Sequence, residues 1–381
     1  MSEIIVGLSL AIWLFLILFW GNFWRGDQRL TSDTKEIAAP RICTVIPARD
    51  EAEAIAISLT SLLNQNYPGE FSVIVVDDNS SDRTGEIAQE TAASLGKQQN
   101  LTVITGKPLP CGWSGKLWAM NQGIEFAQAK TPDYILLTDA DIQHDQNNLK
   151  QLVAKATADN LDLVSLMVLL RCQSFWEKLL IPAFVFFFQK LYPFPWVNDP
   201  QKSLAAAAGG CILISNQALS SIGGIAAIKD ALIDDCTLAH AVKSQQKNIW
   251  LGLTETTISL RGYDNLKVIW DTIARTAYTQ LNYSPLLLIG TLMGMALVYL
   301  VTPIYLVIGI LSSNWLVIVI CIMTWMLMII AYLPTIRLYK LSPLWAFWLP
   351  AIAFLYTLMT LDSAIKYYQG QGGAWKGRTY Q

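Results

Sequence analysis

Histidine is almost missing: His144 and His240 are the only two in 381 residues. That scarcity argues against a histidine-ligated metal centre or a Ser-His-Asp triad. His240 falls in a predicted helix, where a structural role suffices. Cysteine is sparse as well. Cys43, Cys111, Cys172, Cys211, Cys236 and Cys321 show no Cys-x-x-Cys spacing, and most sit in apolar runs. They read as buried thiols in a reducing compartment, not as a zinc site or a disulfide frame. Charge is scarce too. Charged residues make up 15%, the net charge is −2 and the sequence pI is about 5.8, so no basic surface for nucleic acid is expected.

Apolar residues are in excess, at 53% with a mean hydropathy of +0.37, and they cluster at the two ends. Residues 4–20 are continuously apolar, near the lower limit of roughly 17–25 for a membrane helix. No basic region precedes the run and no small-x-small site follows it, so a membrane anchor over 1–24 is favoured over a cleaved signal. Trp20, Phe23 and Trp24 resemble an interfacial belt, with Arg25 and Arg29 on the cytoplasmic side. A polar linker, 25–40, follows. Near the other end, 285–311, 314–334 and 342–362 are each long enough to span. They define a C-terminal membrane region over 285–365, with a tail at 366–381. Arg337 and Lys340 suit the cytoplasmic side. A full final span would then leave Lys366, Lys376 and Arg378 outside, unless 342–362 is broken at Pro350 and re-entrant.

Between the ends, 41–262 alternates strand and helix. Strands are expected at 42–46, 72–76 and 101–105, and another ends at Asp139. Helices are expected at 51–66, after a Ser81/Asp82 cap, and at 116–127 after Ser114. The pattern predicts an α/β domain with a mostly parallel sheet and helices on both faces. Residues 174–196 interrupt it with Phe, Trp and Leu. They read as a helix in the membrane interface belonging to this domain, the alternative being a buried core helix. Residues 263–284 form a second amphipathic candidate.

Two strands end in paired acids. After Tyr134-Ile135-Leu136-Leu137-Thr138 come Asp139-Ala140-Asp141, whose carboxylates leave an extended segment on one face. Two hard oxygens at this spacing suit Mg²⁺ or Mn²⁺; a solvated acidic turn is the plain alternative. Residues 71–76 likewise run into Asp77 and Asp78. Open α/β sheets bind ligands beyond the carboxyl ends of their strands, so one shared crevice is expected.

Six motifs in order carry a resemblance: Pro47-Ala48-Arg49-Asp50-Glu51, Asp77-Asp78-Asn79-Ser80-Ser81-Asp82, Gly115-Lys116 through Asn121-Gln122-Gly123, Asp139-Ala140-Asp141, Gly209-Gly210-Cys211 and Ile233-Asp234-Asp235-Cys236. Together they resemble glycosyltransferase family 2, with a GT-A-like fold. Gly112-Trp113-Ser114-Gly115-Lys116, the run from Arg275 to Leu281 and Trp375-Lys376-Gly377-Arg378 are most similar to hopene-associated members, with carotenoid and ceramide glycosyltransferases more distant. The resemblance implies that Pro47, Arg49 and Glu51 line the nucleotide end and that Asp78, with Asp77, holds uracil or ribose. It places Lys116 and Asn121 near the donor, Mg²⁺ or Mn²⁺ on Asp139 and Asp141, and Gly209 and Gly210 beside the sugar. Asp235, next to Asp234, becomes the catalytic base. The Gln-x-x-Arg-Trp block of many membrane members is missing; Arg275, followed by Thr276, is the nearest stand-in. Bland readings remain for several of these. Asp234 and Asp235 suit any helix amino-terminus, Lys116 could be a solvated helix residue, and 204–211 could be tight core packing.

The implied protein is an inverting, multi-pass enzyme of the cell (inner) membrane with its catalytic domain cytoplasmic. It would move a sugar from a nucleotide-sugar, a UDP-sugar first among them, to a hydroxyl of a hopanoid or other isoprenoid lipid. Rival readings are a polyprenyl-phosphate, carotenoid or ceramide-type transferase, a polysaccharide synthase, and an inactive membrane scaffold. The scaffold predicts loss of an acid, yet Asp78, Asp139, Asp141 and Asp235 are all present.

Overall fold

The computed structural model describes residues 2–30 and 39–370, and two short strands at Ala374–Trp375 and Arg378–Thr379. Residues 31–38 of the expected linker, and Lys376 and Gly377 of the tail motif, lie outside the described residues. Contacts divide the chain into a sheet unit, mainly 27–171 with 196–262, and a helical unit comprising 1–26, 172–195 and 263–373.

The sheet unit is built on eight strands: β1 Ile42–Ala48, β2 Phe71–Asp77, β3 Leu101–Thr105, β4 Tyr134–Thr138, β5 Ile142–Gln143, β6 Leu163–Leu169, β7 Cys211–Ser215 and β8 Ile249–Ser259. Their order is β3-β2-β1-β4-β7-β6-β8-β5. β1 is buried throughout, as its apolar, β-branched composition requires of a central strand. β3, β2, β1 and β4 run parallel. β7 is antiparallel to both β4 and β6, and β5 is antiparallel to β8. β6 and β8 pair in parallel as well, so parallel pairings predominate in a sheet that is partly mixed. Alternation of strand and helix predicts parallel pairing only when each connection is a simple crossover. Between β6 and β7 the chain instead runs through the helix Phe175–Leu191 and returns in the opposite direction.

Pro47 sits inside β1 opposite Val76. The β1–β4 ladder covers only Ile42 to Val45, so on that side the missing N–H falls past the last pair. The helix Gly115–Gln128 is capped by Ser114, whose side chain accepts from the Leu117 N–H. It lies close on the sheet because Gly123 has no side chain. A Cβ there would collide with Val45 Cγ1 and come within 2.9 Å of Val76 Cγ2. Gly123→Ala should therefore destabilise the protein by about 1–2 kcal/mol in thermal denaturation, overpacking outweighing the helix propensity gained.

Among the described residues of the helical unit, four helices are long and apolar enough to cross a membrane: Ser2–Phe19, Pro285–Leu311, Trp315–Leu338 and Pro343–Tyr368. They present apolar side chains outward, as lipid contact permits; Leu286 is 80% exposed and Leu311 81%. Pro350 lies in the first turn of Leu349–Tyr368, where a missing N–H costs nothing. Helical structure continues from Pro343 to Tyr368 and does not turn back there.

Phe175–Leu191 groups with these helices, not with the sheet, in contrast to the sequence expectation. Ser174 and Glu177 form a capping box. Glu177 is fully buried, its Oε2 accepting from the Gln173 and Ser174 N–H groups and its Oε1 from Tyr263 N–H. Phe186 packs on Phe23 and Tyr332. The amphipathic helix Leu266–Thr276 joins the same unit through Trp270, whose indole donates to Asp362, and through Lys366, which bridges Asp271 and Asp362.

Candidate active site

The site residues come from strand ends and helix starts of the sheet unit. Strand β2 ends at Asp77, whose Oδ1 accepts from Ser80 N–H at 2.9 Å. Asp78 follows, fully buried, with its backbone carbonyl taking a hydrogen bond from Arg49 Nη1 at 2.6 Å and its carboxylate 3.6 Å from the same nitrogen. The loop after β1 is tied to the loop after β2. Asp50 N–H donates to Ser80 Oγ, Glu51 N–H to Thr84 Oγ1 and Ala52 N–H to Asp82 Oδ2. Asp50 and Asn79 both adopt positive φ, 50° and 55°, conformations that Asp and Asn tolerate better than most residues. These two expected motifs thus form one polar rim at the ends of adjacent strands.

A second constellation centres on Lys116, at the start of its helix. Its Nζ lies 2.9 Å from Asp139 Oδ1, past β4, and 3.1 Å from Asp234 Oδ2, at the start of helix Asp234–Ser244. Burial alone would lower the Lys116 pKa, but the carboxylates of Asp139, Asp234 and Asp235 outweigh it and hold the ammonium above its ordinary value. Lys116 is thus an internal counter-ion, and the solvated-helix reading does not hold. Asp235 is held from two sides: its Oδ2 accepts from Gly209 N–H at 2.9 Å and its Oδ1 from Cys236 N–H at 2.7 Å. Burial and the neighbouring Asp234 push its pKa up to about 6, against the opposing pull of Lys116 and those two N–H groups. Asp141 is likewise pushed up to about 6, by burial, Asp139 and Glu51, with Arg261 opposing.

Gly209 lies against the ion cluster, where a Cβ would make only ordinary contacts. A Cβ there would lie 3.4 Å from Lys116 Nζ and 3.5 Å from Asp235 Oδ2. Gly210 faces the core, where a Cβ would meet Val168 at 3.0 Å and Ile142 at 3.3 Å. A small cavity lined by Leu117, Met120, Gly209, Ile225, Asp234 and Asp235 adjoins the ion cluster.

Asn121 does not join the cluster in the described contacts; its amide donates to Glu125 on the same helix. Arg275, in the last turn of Leu266–Thr276, belongs to the helical unit. Two contributors were not singled out from the sequence. One is Arg261, a cation bearing on Asp141. The other is a buried relay in which His144 bridges Asn148 and Thr138 at 2.9 and 3.0 Å, and Thr138 Oγ1 donates to Gly210 O at 2.7 Å. Because the Thr138 hydrogen is committed to Gly210, His144 Nε2 must be the donor and Nδ1 the acceptor. Burial pushes the His144 pKa down to about 3, so the ring is neutral. The relay fixes Gly210, and with it the neighbouring N–H that holds Asp235. The nearness of His144 to Asp141 in the chain was the available signal.

Among the described residues no group of three or more His, Cys, Asp or Glu forms a ready-made metal cage. Asp139 and Asp141 still fit Mg²⁺ or Mn²⁺ in one respect: such ions bind through one or two carboxylates and complete their shell with water and substrate phosphate. The raised pKa of Asp141 marks a surplus of negative charge that a cation would relieve.

Lys116→Met leaves Asp139, Asp234 and Asp235 together without their cation. The variant should lose about 3 kcal/mol of stability at pH 7.5. Protonating the crowded acids removes the repulsion, so the deficit in melting temperature should shrink at pH 5.

Residues 43–223 match the family model described as glycosyl transferase family 2. That match takes in a little under half of the chain, and the fold is GT-A-like α/β. The chain is similar to the probable glycosyltransferase YdaM of Bacillus subtilis, 36% identical over 121 residues, which is 32% of this chain and 27% of that protein. It is also similar to the beta-monoglucosyldiacylglycerol synthase of Trichormus variabilis, 34% identical over 105 residues, 27% of this chain and 21% of that protein. The matched stretch thus spans only about a quarter of these relatives. Among solved structures, the mannosyltransferase PcManGT from Pyrobaculum calidifontis, in complex with GDP-Man and Mn²⁺, aligns over 97% of this chain and 100% of its own at a TM-score of 0.56 and 15% identity. That likeness is one of fold.

Proposed function

We propose that the protein is a membrane-bound, inverting glycosyltransferase that moves a sugar from a nucleotide-sugar to a hydroxyl of a lipid. The observation that carries this reading is the gathering of Asp139, Asp234 and Asp235 around Lys116, with Asp235 clamped by two backbone N–H groups. In this reading the rim of Arg49, Glu51, Asp77 and Asp78 holds the nucleoside. Lys116, a largely buried cation, stands where negative charge develops as the diphosphate leaves. Asp139 and Asp141 would hold Mg²⁺ or Mn²⁺; when bound, the ion would neutralise the diphosphate and orient it. Asp235 accepts the proton of the acceptor hydroxyl as its oxygen attacks the anomeric carbon. One displacement with one base inverts that carbon. The raised pKa of Asp235 suits a base, since it binds a proton more readily than an ordinary carboxylate.

Support for a lipid acceptor comes from the four apolar helices and from the similarity to a synthase named for a glucosylated diacylglycerol. The resemblance of the Gly112–Lys116 and Arg275–Leu281 stretches to hopene-associated transferases points to a hopanoid or other isoprenoid alcohol. A multi-pass protein of the inner membrane with the sheet unit cytoplasmic fits the cytosolic supply of nucleotide-sugars. Mass spectrometry of lipid extracts tests the reading. Cells with the active protein should contain a lipid heavier by one sugar residue that is missing when Asp235→Asn replaces it; identical extracts would refute it.

A further inference from the structure

Lys190 lies in the last turn of Phe175–Leu191 in the helical unit. A lysine near the end of an apolar helix ordinarily extends its ammonium toward the head groups. This one is drawn the other way. Its carbonyl accepts from the indole of Trp20, just past the end of Ser2–Phe19, at 2.8 Å. Its Nζ reaches Tyr299 Oη at 2.8 Å, and Tyr299 packs edge-on against Trp13. Trp13 is seven residues, about 10 Å of helix, from Trp20.

The backbone around Tyr299 is built to hold that group. Pro303 has no N–H to offer Tyr299 O, and Ala296–Leu300 widens into a π-helical turn. Such turns are frequent at functional sites. Trp13 Nε1 caps the turn by donating to Val298 O at 2.8 Å. Tyr299 is fully buried, and Phe187 meets it edge-on at 5.8 Å. The ammonium lies 4.6 Å from the centre of the Tyr299 ring and 5.4 Å from that of Phe187.

The hydrogen bonds leave a surplus of donors. Lys190 donates to the phenol oxygen, so the phenol hydrogen must point elsewhere, and no acceptor for it is found among the described residues. No carboxylate contacts Lys190 among them either. Ring faces compensate a charge out of water only in part. Two adjacent donors, one cationic, amid apolar helices match a negatively charged group carried on an apolar chain.

We propose that Lys190 and Tyr299 bind the anionic group of a lipid, a phosphate or a carboxylate. The assignment stands apart from the transfer chemistry of the sheet unit. Its test uses the full chain in a neutral detergent, with farnesyl phosphate and farnesol as probes and binding read by native mass spectrometry. Wild type should bind the phosphate at least about tenfold more tightly than the alcohol, as expected for hydrogen bonds to a charged group. Lys190→Met should abolish that preference, Lys190→Arg should keep it, and Tyr299→Phe should reduce it about threefold. Competition by phosphatidylglycerol would identify a bilayer lipid as the occupant, and failure to compete a prenyl-type lipid. Equal binding of the two probes by wild type, or a preference unchanged in Lys190→Met, would overturn the proposal. Nucleotide binding by the same preparations checks their folding and reports separately on the reading of the sheet unit.

Discussion

Asp235→Asn is expected to lower sugar transfer by about 10²–10⁴-fold while donor binding changes little. The substitution is close to isosteric. It removes the proton acceptor and turns one carboxylate oxygen into a donor. That group cannot replace Asp235 Oδ2 opposite Gly209 N–H, so a clamp bond is lost along with the base. The loss should fall on kcat and not on nucleotide affinity. Asp234→Asn should cost less, because that residue pairs with Lys116. The pH profile carries the same signature. With a pKa of about 6, Asp235 is protonated below that value and unable to act as base, so the rate should climb as pH rises through 6 and level off above it. The apparent value belongs to the interacting Asp234–Asp235 pair. A rate independent of pH between 5 and 7.5 would remove Asp235 from this role.

Asp139→Ala combined with Asp141→Ala should abolish the enhancement of nucleotide binding by Mg²⁺ or Mn²⁺, at a cost of about 100-fold or more in affinity. Stability should respond in the opposite sense for the single change Asp141→Ala. Asp141 has a raised pKa, so its charged form is disfavoured in the folded state at neutral pH. A carboxylate of that kind lowers stability above its folded pKa and does not do so below the ordinary value of 3.8. Asp141→Ala should therefore melt at a higher temperature than wild type at pH 7.5 without metal, an advantage that fades toward pH 4. Adding the ion should raise the melting temperature of wild type only. A variant that is less stable without metal and yet keeps its response to the ion would contradict both roles.

The parts of the fold legible in the sequence were those set by local pattern. Short apolar runs ending in acids marked β2 and β4, and Ser114 marked its helix because a hydroxyl there satisfies a free N–H. The antiparallel β7 was not legible. Nothing in Cys211–Ser215 itself encodes the direction in which a largely buried strand enters. The placement of Phe175–Leu191 was obscured in a similar way, since buried and lipid-facing helices share one composition. Within the site, Asp139, Asp234 and Asp235 were visible as acids at element ends. The ion pairs through Lys116 depend on packing distant in sequence, helped by the missing side chain of Gly123, which lets the Lys116 helix lie close on the sheet.

The most direct test is release of UDP from a UDP-sugar by the purified full-length protein in detergent. The account predicts release only when a divalent ion and a lipid alcohol are both present, and its loss in Asp235→Asn. Release that proceeds equally with a chelator, or at an unchanged rate in that variant, would contradict it.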